Sequence, residues 1–332
     1  MEKLKIAFLI QGNKVASSRL RVLQYIPYLE DSDIDPYVME YPRDIFSWAK
    51  AFNFLKDCDG VFFQRKRPPT LILKLLKMRK KKIIYDVDDA VMFKNSLSKN
   101  PYSLRRRLSF KRTVRFSDLV IVGNSFLKEE AEKYSRNVYV LPTPIDGKRY
   151  YQRPLSAGSE VILGWIGDHG SIHYMESYKD VWEEIGKRFK NVSLTIICDT
   201  FIETKYIRVN KVFWSLESEV EELSKIDIGL MPLFNDLWSK GKCGFKILQY
   251  LGMGIPSVCT PVGINKDIVK DGVEGFWANT KDEWVEKISI LVKDPDLRRR
   301  MGEKGREKAI RNYTVEVCAP RLINYLKTLF SQ

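Results

Sequence analysis

The stretch KGKCGFKILQYLGMGIPSVCTPVG (residues 240–263) contains in turn a loop rich in lysine and glycine, an apolar helix and a short β-branched strand. The helix is expected to begin near Gly244, where the apolar periodicity starts, and to end at the Gly-Ile-Pro of residues 254–256. A helix followed directly by a short apolar strand is typical of α/β proteins with a parallel sheet.

The same alternation continues on both sides of this stretch, with helix-like segments between short apolar runs. The runs fall at 5–12, 60–65, 82–89, 119–124 and 138–144, and again at 161–167, 192–198, 211–214, 228–233, 255–260 and 275–278. This pattern predicts two doubly wound parallel sheets. The predicted domains are 1–150 and 151–313, with linker character over 142–160, and a C-terminal helix over 314–332 that packs back onto the first domain. Ligands are expected beyond the carboxyl ends of the strands.

Charge is divided unevenly along the 332 residues. Residues 1–150 hold 30 Lys and Arg against 17 Asp and Glu, and this net +13 is nearly all of the net +14 of the chain. The first half is therefore expected to meet an anionic surface, with a solubilising face as the alternative. Five scattered cysteines and the lack of a signal peptide favour the cytoplasm. The sequence has no run of about 18 uninterrupted apolar residues, so no membrane-spanning helix is predicted.

The lysine loop predicts an anion site. Lys242, Lys246 and Gln249 follow an i, i+4, i+7 spacing that puts them on one polar stripe, while Phe245 is expected on the opposite, packed side. A helix N-terminus attracts anions, and Gly244 lets its backbone approach a ligand closely. A phosphate or diphosphate is the expected ligand. The alternative is an ordinary solvated lysine face.

The segments LGWIGDHGSIHY, IDIGLMPLFNDLWSKGKCGFK and VKDGVEGFW, together with IIYDVDDAVMF and LPTPID, resemble the family 4 glycosyltransferases. The resemblance covers most of the chain and implies the GT-B fold, in which two Rossmann-like domains face each other across a cleft. It also implies a nucleoside-diphosphate sugar as substrate, no separate cofactor and no metal ion. The first domain would bind the acceptor and the second the nucleotide sugar.

Two departures from the family pattern concern its paired glutamates. Gly241 stands where the first glutamate is expected and Gln249 where the second is expected, and GDHGS (167–171) replaces the usual Arg and Lys after the first strand of the donor domain. The chain thus resembles a subgroup with Lys-x-x-x-Lys in the loop. From the lysine loop, the strand ends and the resemblance together, the residues expected at the donor are Gly167, Asp168, His169, Trp214, Lys242, Gly244, Phe245, Lys246 and Gln249, and Lys246 is also expected to have a catalytic role. For Trp214 a place in the core is the alternative.

Candidate residues in the first domain lie after two apolar strands. Asp88 or Asp89, in YDVDDA, would orient an acceptor hydroxyl or stabilise positive charge on the sugar. A helix cap and a metal-binding Asp-x-Asp are the alternatives. The loop after the first strand offers an acceptor site at Gly12, Ser17, Ser18 and Arg19, with a plain helix cap as the alternative for either serine.

These features together predict a glycosyltransferase, and the resemblance to family 4 implies that it retains the anomeric configuration. The expected acceptor is a glycan or a lipid-linked acceptor. The basic segments at 65–82 and 103–116 suit an anionic membrane surface, so a peripheral place at the inner face of the membrane is expected. Nucleic acid is not expected as a partner, because no nucleic-acid-binding module is recognisable. The alternatives are a GT-B nucleotide-sugar epimerase and a catalytically degenerate protein that binds a nucleotide sugar or a membrane.

Overall fold

The computed structural model describes residues 3–153 and 160–331, which fall into two compact units. The first unit comprises the chain up to Pro144, residues Asp236–Cys243 and the chain from Val315 onward. The second comprises Ile145–Asn235 and Gly244–Thr314. The predicted linker at 142–160 lies partly outside the described residues.

The first unit contains six strands and the α-helices that flank them. In chain order they are β1 (Leu4–Ile10), α1 (Ala16–Arg21), α2 (Ile26–Glu30), β2 (Ile34–Glu40), α3 (Ile45–Leu55), β3 (Gly60–Gln64), α4 (Thr70–Met78), β4 (Lys82–Val87), α5 (Leu104–Phe116), β5 (Leu119–Val122), α6 (Ser125–Glu132) and β6 (Val138–Val140), with α15 (Val315–Phe330) from the end of the chain.

The strands of the first unit form one parallel sheet in the order β2-β1-β3-β4-β5-β6. Because successive side chains of a strand point to opposite faces, each buried strand contributes side chains to the hydrophobic cores on both faces of the sheet. In β1, Ala7 and Leu9 pack with α3 to α6, whereas Ile6 and Phe8 pack with α2 and α15. The first sheet is therefore covered by helices on both faces, as the apolar runs predict.

The sequence did not reveal β2, and its proline is the reason. Pro36 reads as a strand breaker because it has no backbone N–H. It is tolerated here since β2 is an edge strand, paired on one side only with β1. The chain between β1 and β2 is helical in two parts: a 3-10 turn at Leu23–Tyr25 follows α1, and α2 then begins with Pro27 in its first turn.

The second unit repeats this plan. Its elements are β7 (Val161–Ile166), α7 (Ile172–Ser177), α8 (Lys179–Arg188), β8 (Val192–Cys198), β9 (Arg208–Phe213), α9 (Glu219–Ser224), β10 (Ile228–Met231), α11 (Phe245–Gly252), β11 (Ser257–Cys259), α12 (Asn265–Ile268), β12 (Gly275–Trp277), α13 (Lys281–Lys293) and α14 (Pro295–Asn312). The short helix α10 (Leu237–Lys240) belongs to the first unit.

The second sheet is also parallel throughout, in the order β12-β11-β10-β7-β8-β9. Its two faces carry separate cores. Leu163, Trp165 and Leu194 pack with α8 and α13 on one face, and Ile166 and Ile197 pack with α11 on the other. Two doubly wound parallel sheets are present, so the predicted fold class is confirmed. Among the described residues, no helix combines the length and apolarity needed to cross a membrane.

Candidate functional site

The loop after β7 is shaped around one tryptophan and one serine. Gly167 passes so close to the Trp165 indole that a Cβ at this position would lie 2.2 Å from Cη2 and 2.9 Å from Ser171 Oγ. The Ser171 hydroxyl donates to Asp168 Oδ1 at 2.8 Å and accepts from the Asp168 amide at 3.3 Å. Any side chain at Gly167 would displace the indole, and this explains the first glycine of GDHGS.

Lys246 meets this loop from the first turn of α11. Its ammonium lies 4.9 Å from the centroid of the Trp165 ring and 3.5 Å from Ser171 Oγ, within the range of a cation–π contact and a long hydrogen bond. The first amides of an α-helix have no partner inside the helix and carry partial positive charge. The lysine and the Phe245 amide therefore stand together at the carboxyl end of the sheet, as an anion site requires.

Gly244 caps α11 with a left-handed backbone at φ +65°. A Cβ there would also lie 2.4 Å from Ile268 Cδ1. The residue is thus restricted to glycine by its backbone conformation and by its packing. The sequence predicted this helix start correctly.

Gln249 does not share an exposed stripe with Lys246, and that part of the prediction is wrong. The side chain is 2% exposed, and its Nε2 donates to Tyr150 Oη at 3.0 Å. The Tyr150 hydroxyl in turn donates to Glu219 Oε1 at 2.6 Å. The reason is that α11 is buried on more than one side, so a residue three positions beyond Lys246 already faces the interior. The predicted contact of Gln249 with a ribose stays a prediction.

Glu219 joins Trp214 to the same cluster. The Trp214 ring is about one-third exposed at the end of β9, and its Nε1 donates to Glu219 Oε2 at 2.7 Å. Arg149 Nη2 lies 3.4 Å from Glu219 Oε1. Burial, with the Glu219 carboxylate beside the hydroxyl, raises the pKa of Tyr150 well above its ordinary value. Sequence reasoning missed Glu219, because nothing in the sequence distinguishes it from the neighbouring Glu221, which is exposed.

His169 is an exposed residue of the β7 loop. Its Nδ1 lies 2.7 Å from Asp199 Oδ2, at the end of β8. The hydrogen bond and the negative charge of Asp199 raise the pKa of His169, and the same hydrogen bond lowers the pKa of Asp199 to about 2. The pair therefore keeps positive charge on the imidazole to a higher pH than usual. His173 lies instead on α7, against the rings of Tyr174 and Phe234.

In the first unit, the carboxyl end of β4 carries three aspartates with different partners. Asp86 forms a buried ion pair with Arg21, whose Nη1 also donates to the Leu141 carbonyl at 2.6 Å. This pair is a structural element of the core. Asp88 and Asp89 follow it, and Arg65 at the end of β3 lies beside both of them.

Asp88 is the aspartate with the weakest compensation. Its carboxyl is 11% exposed, and Oδ1 has no hydrogen-bond partner among the described residues. Burial raises the pKa of Asp88 to about 6 in spite of the opposing charge of Arg65. Asp89 Oδ2, by contrast, lies 2.5 Å from Arg65 Nη2. Neither residue lies within a helix, and β4 ends at Val87, immediately before them.

The segment with Gly241, Lys242 and Cys243 belongs to the first unit. Asn124 Nδ2 donates to the Lys242 carbonyl at 2.9 Å, and Cys243 Sγ donates to the Asp88 carbonyl at 3.0 Å. A Cβ on Gly241 would lie 2.5 Å from Ala90 Cβ, so no glutamate side chain fits where the family pattern expects one. The Lys242 ammonium lies 5.6 Å from the centroid of the Trp238 ring. Lys242 is therefore outside α11, the helix that carries Lys246.

The loop after β1 forms a hydrogen-bonded polar cluster. Ser17 Oγ accepts from Gln11 Nε2 at 2.8 Å, and the buried Ser18 Oγ accepts from the Gln11 amide at 3.2 Å and donates to Gln64 Oε1 at 3.4 Å. Helix α1 begins at Ala16, with Val15 as its N-cap, so neither serine caps it. Sequence reasoning missed Gln64, which lies within an apolar strand.

Two other residues complete the predicted acceptor loop. Gly12 has φ +148°, a backbone conformation that favours glycine, and Arg19 is half-buried on α1. Among the residues described, no group of three His, Cys, Asp or Glu has the arrangement to hold a metal ion. The predicted site residues thus lie in two groups, one at the strand ends of each sheet.

Comparison with known proteins gives a family match over part of the chain. Residues 205–308 match the model of Glycosyl transferases group 1. N-acetyl-alpha-D-glucosaminyl L-malate synthase of Bacillus anthracis is 22% identical over 247 residues, which are 67% of this chain and 62% of that protein. The chain therefore spans less than two thirds of the length of this curated relative.

Solved structures agree with the fold over the whole chain. HepE of Anabaena, solved in complex with UDP-glucose, gives a TM-score of 0.76 at 13% identity and covers 99% of this chain and 100% of its own. Sucrose-phosphate synthase of Thermosynechococcus elongatus gives a TM-score of 0.73 at 13% identity, with 99% and 100% covered. The fold is therefore GT-B, as the resemblance implied.

Proposed function

We propose, from its GT-B fold and its match to the group 1 glycosyl transferases, that this protein moves a sugar from a nucleoside-diphosphate sugar to an acceptor. The observation that carries the proposal is the placement of Lys246. Its ammonium and the first amides of α11 stand at the carboxyl end of the second sheet, beside the tight loop around Gly167. An anion is the ligand that such a site favours.

In the proposed reaction, the acceptor oxygen bonds to the anomeric carbon while the bond from that carbon to the diphosphate breaks. The hydroxyl proton passes to the departing diphosphate, so no strong protein base is needed, and the configuration is retained. Lys246 and the α11 amides stabilise the charge on the leaving group. His169, held by Asp199, adds positive charge at the same loop, and Trp214 offers an exposed ring for a nucleotide base.

The acceptor side is assigned to the first unit. Asp88 has a buried carboxyl suited to accept a hydrogen bond from a hydroxyl, and the polar cluster at Ser17 and Ser18 offers further contacts. Gly12 and Arg19 keep their predicted roles at the acceptor, and Asp89 stays the alternative to Asp88. Lys242 keeps its predicted role at the donor diphosphate. A glycan is the acceptor class that fits best, because the many hydroxyls of a sugar match a loop lined with amides and hydroxyls.

The proposed partner of the first unit is an anionic membrane. Helices α4 and α5 pack on the same face of the first sheet and contact each other. Their outer sides expose both apolar and cationic side chains: Leu71, Lys74, Met78, Leu104, Arg105, Arg107 and Leu108. Apolar side chains that enter a headgroup region, surrounded by Lys and Arg, are typical of peripheral membrane contacts. This supports a peripheral location at the inner face of the membrane and a lipid-linked acceptor.

Thermal unfolding with a panel of nucleotides tests the donor site. UDP is the first ligand to examine, because HepE was solved with UDP-glucose. A ligand at 100 times its Kd stabilises the folded protein by about 2.7 kcal/mol. We expect one diphosphate to raise Tm, and Lys246→Ala to remove most of this rise and to lower turnover roughly 100-fold. Lys304→Ala, on the exposed side of α14, is the matched control.

Two outcomes contradict the proposal. If no nucleotide or nucleotide sugar raises Tm, the lysine and the loop do not form a donor site. If Lys246→Ala is folded and fully active, the catalytic role of the lysine is wrong. Product analysis without acceptor separates the alternative, since only an epimerase converts the donor sugar by itself.

A further inference from the structure

The neighbouring carboxylates Asp88 and Asp89 are held differently by one arginine. Arg65 Nη2 lies 2.5 Å from Asp89 Oδ2, a short ion pair, whereas Arg65 Nε lies 3.9 Å from Asp88 Oδ1. The first distance is that of a charge-assisted hydrogen bond, and the second is too long for one. Arg65 therefore binds Asp89 directly and acts on Asp88 mainly through its charge.

The backbone of Arg65 has a conformation that is uncommon for residues other than glycine. Its φ is +60°, in the left-handed region, which is unfavourable for a residue with a Cβ. Two hydrogen bonds hold it there. The Arg65 amide donates to the Asp86 carbonyl at 2.7 Å, and the Arg65 carbonyl accepts from Tyr85 Oη at 3.4 Å. The side chain thus leaves the end of β3 from a fixed point, and backbone strain of this kind is often found at functional sites.

Among Asp86, Asp88 and Asp89, the carboxylate of Asp88 has the weakest interaction with a positive charge. Asp86 is paired with Arg21, and Asp89 with Arg65. The groups that face Asp88 are Arg65 from the end of β3, Asp86 and Tyr85 from β4, Asp89 next in the chain, Arg21 from α1, and Cys243, which donates to its backbone carbonyl. Among these groups of the described structure, Arg65 and Arg21 are the cations, and each is already paired with another carboxylate.

We propose that Arg65 is a positioning residue that engages Asp89 and so leaves Asp88 as the carboxylate that contacts the acceptor hydroxyl. The inference rests on the proposed function and goes beyond it, because it separates the roles of two adjacent aspartates. Asp89 orients the guanidinium, the guanidinium keeps positive charge near Asp88, and Asp88 accepts the hydrogen bond.

A direct consequence concerns the ionisation of Asp88. Burial raises the pKa of Asp88 to about 6, and the charge of Arg65 opposes that rise. Removal of Arg65 therefore raises the pKa of Asp88 further. Removal of the Asp89 charge lowers it, because a repelling neighbour is lost and Arg65 is released. The two variants act in opposite directions, and a purely structural role of Arg65 would not produce this.

Carbon NMR titration of the full chain with ¹³C-carboxyl aspartate measures this ionisation directly, and Asp88→Asn assigns the signal. We expect Arg65→Met to raise the pKa of Asp88 by about 1 or more and Asp89→Asn to lower it. Arg65→Lys, which keeps the charge, should lie between the wild type and Arg65→Met. Arg67→Met is the matched control, since Arg67 donates to the carbonyls of Val91 and Arg106 and pairs with no aspartate in the described structure.

The pH dependence of kcat/KM for sugar transfer gives the second readout. The acid limb of the profile should move with the pKa of Asp88 in each variant. An unchanged pKa and acid limb in a folded, active Arg65→Met protein would overturn the inference alone. A wild-type protein that transfers no sugar at any pH would contradict the proposed function and, with it, the acceptor role of Asp88. If Arg65→Met does not fold, Arg65→Lys and Asp89→Asn still give shifts of predicted sign.

Discussion

At the scale of single residues, the carboxyl of Asp88 is largely buried and has no close cationic partner among the described residues. Its pKa is about 6 in the folded protein because burial disfavours the charged form, whereas an aspartate in an unfolded chain has a pKa near 3.9. Below both pKa values, Asp88 is neutral in the folded and the unfolded state, so its ionisation does not change the free energy of unfolding. As pH rises from about 4 to about 6, the unfolded chain releases its proton first, and the folded state loses stability relative to it.

Replacement of Asp88 by Asn should therefore stabilise the protein at neutral pH while it impairs transfer. The gain in the free energy of unfolding should be on the order of 1–3 kcal/mol at pH 7.5 and should decline toward pH 4. Urea unfolding at a series of pH values measures it, with the exposed Asp31→Asn as control. A gain that is equal at pH 4 and pH 7.5 would show that the Asp88 carboxyl does not titrate as described.

At the scale of elements, the loop after β7 and the start of α11 act together. The loop gives shape through Gly167 and Ser171, and α11 adds its first amides and the Lys246 ammonium. His169 extends this positive region, because Asp199 at the end of the adjacent strand β8 raises the pKa of the imidazole. The charge of His169 is present below that raised pKa and is lost above it.

The affinity for UDP should therefore fall as pH rises through the raised pKa of His169. Asp199→Asn should move this fall to lower pH, since it removes the carboxylate that favours the imidazolium, and His169→Gln should abolish this component. Calorimetric titration between pH 6 and 8.5 measures it. His173→Gln, at the second histidine of the chain, is the control, and its UDP affinity should depend on pH as in the wild type. The same pH dependence in His169→Gln would exclude a contact of His169 with the phosphates.

At the scale of the whole molecule, the excess of positive charge is concentrated in the first half of the chain. Residues 1–150 account for +13 of the net +14. Several of these cations have structural partners: Arg21 binds Asp86, Lys77 binds Asp118 and Arg106 donates to the Phe93 carbonyl. The cations that remain exposed on α4 and α5 stand among exposed leucines, and this combination is the basis of the proposed membrane face.

Binding to vesicles that contain about one third phosphatidylserine should depend on that face. Arg105→Glu with Arg107→Glu should weaken binding at least tenfold, because each cation near an anionic surface contributes about 1 kcal/mol. Leu104→Ser with Leu108→Ser should weaken the part that persists at high salt, where electrostatic attraction is screened. Sedimentation with vesicles measures both. Arg300→Glu with Lys304→Glu, exposed on α14, makes the same change in net charge elsewhere, and an equal loss in this control would refute a localised face.

The sequence by itself determined the class of fold, eleven of the twelve strands found in the described residues, and the start of α11. These features follow from local periodicity, from glycines that allow special backbone conformations, and from the order of elements along the chain. The predicted importance of the GDHGS loop and of YDVDDA also came from residue types that follow apolar strands. Edge strand β2 was missed because Pro36 disfavours a strand in the local sequence. That this strand has a partner on one side only, where a proline is tolerated, is a property of the folded sheet.

Only the tertiary structure decided which polar residues are partners. Gln249 is buried and hydrogen-bonded to Tyr150. The carboxylate of Glu219 contacts donors of Tyr150, Trp214 and Arg149. Arg65 forms a short ion pair with Asp89 but not with Asp88. Positions 65 and 89 are remote in sequence, and they meet because β3 and β4 are paired in register and end at the same edge of the sheet. Ionisation and orientation depend on burial and on distance to the nearest charge, and neither quantity exists until the chain has folded.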